Sequence, residues 1–248
     1  MKINILMREE MGGNIMRFFF RIVIIFIISC VTILPNSTEA EVNQLAQYEK
    51  AQIYKVKLKN SPITYPQVKG LKNRIAQEKI NATLRKGADL ANKNRLKLLF
   101  EEKEAKKKWT SSQGPWRPYE YIFTYKVPFN DRNKLSVIYK EYSYTGGAHG
   151  MTVGTTYNFN TNTGEIVPLS KLINNKTKVI QQYAYQQLQK KYSGYILIKS
   201  PNEIALNDKN RLWVFDQKGI KLIFGEYEVA AYAAGMPEVV VPYHMYKK

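Results

Sequence analysis

Apolar and polar residues alternate with period two in several short runs of this chain, and recur near every 3.6 residues in two longer ones. The first pattern predicts strands with one buried face, and the second predicts amphipathic helices. Tyr54-Lys55-Val56-Lys57-Leu58-Lys59 sets apolar residues against lysines and predicts a strand with one basic face. Pro62 and Pro66 interrupt the next stretch. From residue 68 to about residue 100, Leu71, Ile75, Ile80, Leu84, Ala88 and Ala91 fall on one side of a predicted helix. Residues 101–108 extend it as a solvated segment of mixed charge, whose Lys106, Lys107 and Lys108 are a minor candidate for anion contact. Gly87 lies inside this helix, where glycine costs about 1 kcal/mol relative to alanine. Alternation over 119–127 and again from Leu135 to Tyr139, with Asn130-Asp131-Arg132-Asn133 between, predicts a hairpin.

The same signals return further on. Val153, Thr155, Tyr157 and Phe159 alternate, Asn160-Thr161-Asn162-Thr163-Gly164 reads as a turn, and 165–169 runs back. Val179, Ile180, Tyr183, Ala184 and Leu188 predict a second amphipathic helix that Gly194 can close. Residues 211–216 and 220–224 predict a hairpin over Asp216-Gln217-Lys218-Gly219, and 238–241 a terminal strand bounded by Pro237 and Pro242. The fold class expected is α+β, in two subdomains that each pair an antiparallel sheet with one main helix.

Between the halves lies Tyr144-Thr145-Gly146-Gly147-Ala148-His149-Gly150. Its glycines mark a tight turn or a close backbone approach. Its histidine is one of two in the chain, the other being His244. A loop histidine beside glycines can reach a ligand unhindered, and it can equally hydrogen-bond a neighbouring backbone or carboxylate. Tyr227, Tyr232 and Tyr243 could line a groove suited to sugar rings, or pack as core in a chain with 18 tyrosines. Glu226 and Glu228, two apart, would share a face on a strand. A glycosidase pair normally comes from separate elements flanking the scissile bond, so surface or hydrogen-bonded carboxylates are the simpler reading. The two histidines lack metal-ligand spacing, and neither a metal nor a cofactor is expected.

The N-terminus changes the setting. Residues 22–34 are almost wholly apolar, Arg17 and Arg21 precede them, and a short polar stretch ending in Ala40 comes next. That order describes a secretory signal peptide over 1–40, with Met16 an alternative start. The apolar run is short for a membrane span of about 20 residues, so no stable transmembrane anchor is expected. Ile27-Ile28-Ser29-Cys30 also fits a lipid-anchored cysteine, although the run stays apolar beyond Cys30 to Leu34. Cys30 is the only cysteine, which excludes an intramolecular disulfide. The net charge is +18 from 38 Lys+Arg against 20 Asp+Glu. Removing 1–40 takes four basic and three acidic residues and lowers it by one, to +17. Such a field favours polyanions, and it also keeps a protein soluble. An exported chain does not meet nucleic acid, so wall polymer is the expected polyanion. The organisation expected is a signal over 1–40 and α+β units over 41–143 and 144–248.

Three stretches carry a family resemblance: Tyr144-Thr145-Gly146-Gly147-Ala148-His149; Phe159 with Thr163-Gly164-Glu165; and 225–238 with Val241-Pro242. Together they resemble the bacterial extracytoplasmic paired module found in the outer part of the anti-sigma factor RsiV and ahead of the catalytic domain of the peptidoglycan deacetylase PdaC. The resemblance spans nearly all of 45–245. It implies a two-part α+β fold and a place at the cell surface, with lysozyme binding in the RsiV setting and a metal-dependent deacetylase domain alongside in the PdaC setting. A sigma-binding segment is not expected before the apolar run, nor a deacetylase domain after it, so neither activity is expected to carry over whole. A chain near +17 repels a cationic lysozyme unless an acidic patch faces it, for which Glu226, Glu228 and Glu238 are the candidates. The expected function is a secreted, basic cell-wall protein, non-enzymatic rather than enzymatic, binding wall glycan or anionic wall polymer. A soluble lysozyme-binding module and a peptidoglycan-modifying enzyme, or an accessory to a deacetylase, are the alternatives. Tyr144, Gly146, Gly147, His149, Glu226, Tyr227, Glu228, Tyr232 and Tyr243 are the candidate ligand-binding residues, and no catalytic residue is assigned.

Overall fold

A computed structural model describes residues 50–247. The expected signal over 1–40, its cut after Ala40 and Cys30 lie outside the described residues. The first pair of strands, β1 (Gln52–Lys57) and β2 (Thr64–Lys69), is antiparallel with Val56 opposite Tyr65. Pro66 lies within β2 and does not end it; a two-stranded sheet has only edge strands, which tolerate a residue without an N–H. The predicted helix therefore starts later than residue 68. α1 (Arg74–Lys107) is capped by Asn73, whose side-chain oxygen accepts from the Ala76 amide at 3.1 Å. Its buried stripe is Ala76, Ile80, Leu84, Ala88, Ala91 and Leu98. Ile75, predicted to be part of that stripe, is 67% exposed, because Ala76 takes the core position in the first turn.

α1 packs on a three-stranded antiparallel sheet of β3 (Glu120–Asp131), β4 (Lys134–Tyr144) and β5 (Met151–Asn160), in that order. Arg132 and Asn133, at φ 50° and 57°, make the predicted turn between β3 and β4. The register slips between Lys126 and Phe129, where Pro128 can donate no ladder bond. Tyr139 on β4 donates its hydroxyl to the Leu84 carbonyl of α1 at 3.0 Å. β5 pairs with β4 from Ser143↔Met151 to Lys134↔Asn160. The sheet therefore runs straight across the break expected between residues 143 and 144, because the alternating run after Gly150 finds its hydrogen-bond partners in β4.

The remainder folds around a second core. After β5, residue Ile166 makes a single bridge to Phe159; the return run expected over 165–169 stops there because α2 (Leu169–Ile173) begins. α3 (Thr177–Lys191) buries Ile180, Ala184 and Leu188, while Val179 stays outside, and Gly194 comes after it at φ 83°. A three-stranded antiparallel sheet has the order β6 (Trp213–Asp216), β7 (Gly219–Ile223), β8 (Glu238–Pro242). One core gathers β1, β2, α1 and the inward face of β4; the other gathers α2, α3 and β6–β8 with Phe129. The result is the expected α+β class with two sheet-bearing subdomains.

A buried polar network joins them. Ser136 and Asn158, on β4 and β5, are 0% and 2% exposed. The Ser136 hydroxyl donates to Asn158 Oδ1 at 2.6 Å and accepts from the Phe215 amide of β6 at 2.9 Å. Asn158 Nδ2 donates to the Trp213 carbonyl at 2.7 Å. Beside it Ile138, Val214 and Ile223 form a small apolar cluster. Ser136→Ala removes a partner from two buried groups and is expected to lower stability by about 1–3 kcal/mol in denaturant unfolding; a change below about 0.5 kcal/mol, the range of an ordinary surface substitution, would remove this network from its place at the joint.

Gly87 has a reason to lie in mid-helix. A Cβ there would collide with the Tyr157 hydroxyl and press on the Tyr139 ring. Gly87→Ala is therefore expected to destabilise by about 1–3 kcal/mol despite its better helix propensity, and adding Tyr157→Phe should recover part of the loss in the same melt. A stabilised single variant would show that the contact is loose.

Candidate functional site

The glycine-rich stretch is the tip of the β4–β5 hairpin. Tyr144 closes β4, and its hydroxyl donates to the Gly147 carbonyl at 2.9 Å. Arg117 donates to the same carbonyl at 3.3 Å. Gly146 takes φ 90°, where a side chain is strained. Gly150 is buried, and a Cβ on it would overlap the Tyr142 ring and the Ser143 carbonyl. Gly147 has open space around it. The backbone thus folds back tightly at Gly150 and leaves His149 exposed beside it.

The second wall comes from the segment after β7. Residues 224–229 form a turn rather than a strand, and Tyr227 takes φ 63°, an uncommon conformation for an aromatic residue. The segment is tied down by hydrogen bonds from the Leu197 amide to the Val229 carbonyl at 3.0 Å and from the Ala231 amide to the Tyr195 carbonyl at 2.8 Å. Glu226 accepts from the Thr152 amide of β5 at 2.9 Å and so fastens the turn to the hairpin. Tyr232 then stacks on His149, with ring centroids 3.9 Å apart and planes 20° from parallel. Tyr227 lies 5.7 Å from Tyr232, and its hydroxyl is 3.2 Å from His149 Nε2.

These contacts assign the imidazole. His149 Nδ1 is 2.9 Å from the Gly150 carbonyl. A carbonyl only accepts, so Nδ1 carries the proton, and in the neutral ring Nε2 accepts from the Tyr227 hydroxyl. The hydrogen bonds of His149 go to a backbone carbonyl and a phenol, and no carboxylate takes part. The Tyr232 hydroxyl is held above the ordinary tyrosine value, first by burial and then by the Glu226 carboxylate, Tyr142 and Tyr227, so it stays protonated at neutral pH. The arrangement is an aromatic plate with hydroxyl and imidazole edges. Such a plate can stack on the C–H face of a sugar and hydrogen-bond its hydroxyls.

Of the candidates, Tyr144, Gly146, Gly147, His149, Glu226, Tyr227 and Tyr232 converge at this tip. Glu228 turns away: it pairs with Arg211 and accepts from the Gly225 amide at 2.8 Å. The two glutamates share no face, because the chain turns between them. Tyr243 lies past the far end of β8, against Tyr246 and under Lys247. His244 is exposed there as well. Among the described residues no three His, Cys, Asp or Glu side chains group as a metal site. Two contributors escape a reading by pattern. Tyr142 looks like any strand tyrosine, and Arg117 sits between Trp116 and Pro118, where the local sequence carries no signal of a partner.

Residues 38–152 match the family model described as deacetylase PdaC. Residues 167–244 match the model of a protein family of unknown function, DUF3298. No curated protein matches the chain. A solved structure of a DUF3298 family member from Bacteroides fragilis is similar at 18% identity and TM-score 0.52, covering 80% of this chain and 91% of that one. At that identity it shows a shared fold. Another DUF3298 family structure, from Pseudomonas aeruginosa, is 14% identical with TM-score 0.47 over 80% of this chain and 91% of its own.

Gly150→Ala is expected to lift His149 off Tyr232, seen as loss of the ring-current shift on the imidazole protons, and to cost about 1–3 kcal/mol of stability. Gly147→Ala should leave both unchanged. Equal effects from the two would mean that the close approach at Gly150 does not set the histidine.

Proposed function

We propose that this chain, which joins a PdaC-type module to a DUF3298 module, is an extracytoplasmic cell-envelope protein that binds wall glycan and does not turn it over. The observation that carries this reading is the stacked His149–Tyr232 pair with Tyr227 beside it. The His149 and Tyr227 rings are exposed, Tyr232 is half-buried beneath them, and their polar edges are positioned. The histidine has no carboxylate partner that would make it a general base. A binding surface needs the rings and edges, and a hydrolase needs more than they supply. Basic charge adds a second, less specific term. A field of +18 draws the protein toward anionic wall polymer and weakens with salt, whereas ring stacking on a sugar does not. Among the described residues no helix is long and apolar enough to cross a membrane.

The lysozyme reading gains no support from the carboxylates it requires. Glu226 accepts from a backbone amide, Glu228 pairs with Arg211, and Glu238 pairs with Lys221 at 3.0 Å. Each is engaged within the fold.

Retention on purified cell walls tests the proposal. The protein should stay on peptidoglycan stripped of anionic polymer, even at high salt. Tyr232→Ala and His149→Ala should each weaken that retention about tenfold, the equivalent of roughly 1.4 kcal/mol for a lost ring contact. Restoring the polymer should add only a salt-sensitive part. Absence of retention on stripped walls, or retention indifferent to both substitutions, would refute a glycan surface at the hairpin tip.

A further inference from the structure

The opposite end of the same hairpin carries a pocket. A cavity of about 570 Å³ opens where the β3–β4 turn meets the chain leaving β5 and the start of α2. Three cations line it: Arg132, Lys134 and Lys171. Lys134 is half-buried, with its ammonium 5.2 Å from the centroid of the buried Phe215 ring. It is held below the ordinary lysine value by burial first, then by the positive charges of Lys247 and Arg132. Arg132 reaches Asp131 at 3.6 Å, and Glu165 is the one acidic residue in the lining. Among the described residues neither Lys134 nor Lys171 has a carboxylate within salt-bridge distance. Positive charge is therefore gathered here in excess of what the fold neutralises.

The rest of the lining has a different chemistry. Asn160, Asn162 and Thr163 contribute amides and a hydroxyl, and Phe215, Leu172 and Ile166 contribute an apolar wall. Arg132 also adopts φ 50°, a left-handed conformation that Asn or Gly accepts more readily than arginine. Strain of that kind persists where the surrounding structure holds the residue in place.

We infer that this pocket binds a phosphorylated sugar or polyol. Arg132, Lys134 and Lys171 take the phosphate oxygens, Asn162 and Thr163 take hydroxyls, and the Phe215 wall takes the carbon skeleton. Charge-assisted contacts to the phosphate account for selection of the anion. The apolar wall distinguishes an organic phosphate from the bare ion. The inference rests on the envelope reading only for where such a ligand would be met, namely as the repeating unit of an anionic wall polymer. Its geometry is independent of the aromatic tip.

The test uses the purified protein and small ligands in solution, so its outcome is separate from retention on walls. Glycerol phosphate, inorganic phosphate and glycerol are titrated at one constant ionic strength while backbone amide resonances are followed. Glycerol phosphate should shift Asn133, Lys134, Asn162 and Thr163 saturably, and more tightly than inorganic phosphate, while glycerol should shift nothing. Lys171→Gln, on the exposed start of α2, and Lys134→Met, which keeps the buried stem, should each weaken binding about tenfold with the thermal midpoint retained. Three results would overturn the assignment: shifts that never saturate, affinities unchanged in both variants, or inorganic phosphate binding as tightly as glycerol phosphate. A fall in thermal midpoint with Lys134→Met leaves Lys171→Gln to decide.

Discussion

The hydrogen bonds of Ser136 and Asn158 are the constraint on which the relation of the two sheets depends. A serine hydroxyl has one proton, and here it goes to Asn158 Oδ1 while a lone pair takes the Phe215 amide. The asparagine amide nitrogen then reaches the Trp213 carbonyl. β6 is thereby placed against β4 and β5 in one register, because a slip would leave buried donors and acceptors without partners, each at a cost of about 1–3 kcal/mol. Apolar packing alone would tolerate small shifts of β6. The polar contacts are directional and do not.

The candidate glycan surface depends on that placement. Its two walls come from different subdomains, the hairpin tip from β4–β5 and the turn from the chain after β7. They meet because β6 and β7 are already positioned across the hairpin. Glu226 then makes the local connection at Thr152, and the bare backbone at Gly150 lets the loop fold closely enough for His149 to lie flat on Tyr232. Tyr227 accepts an unfavourable backbone conformation at the same place, which is where strain is found when a side chain must be held at a set angle.

Periodicity and turn chemistry made most elements legible. The alternating runs became β1 and β3–β5, Asp216-Gln217-Lys218-Gly219 became the β6–β7 turn, and Gly194 came just after the second helix. The departures have two causes. Ile75 and Val179 lie in the first turns of their helices, where the stripe cannot yet be distinguished from its neighbour by period alone. The break expected at residue 144 came from reading three glycines as a boundary, when a hairpin tip has the same composition. Partnership was not legible at all. Nothing in the order of residues shows that His149 meets Tyr232, eighty-three positions on, or that Gly87 is small because Tyr157 points at it.

On the two proposals above, the β4–β5 hairpin would carry two different recognition chemistries. β4 has 11 residues, so its ends are roughly 30 Å apart at about 3.3 Å per residue. The aromatic tip lies at one end and the cationic pocket at the other. A rigid strand pair holds the two at a fixed spacing, with no linker whose entropy must be lost when both engage. On a surface made of repeating units, two weak sites at fixed separation bind together far more strongly than either does alone, provided the spacing matches. On those proposals the aromatic plate would take a sugar face and the pocket would take charge, so neither would duplicate the other. The excess of lysine elsewhere on the chain would raise the encounter rate with such an anionic surface and leave selection to the two ends of the hairpin.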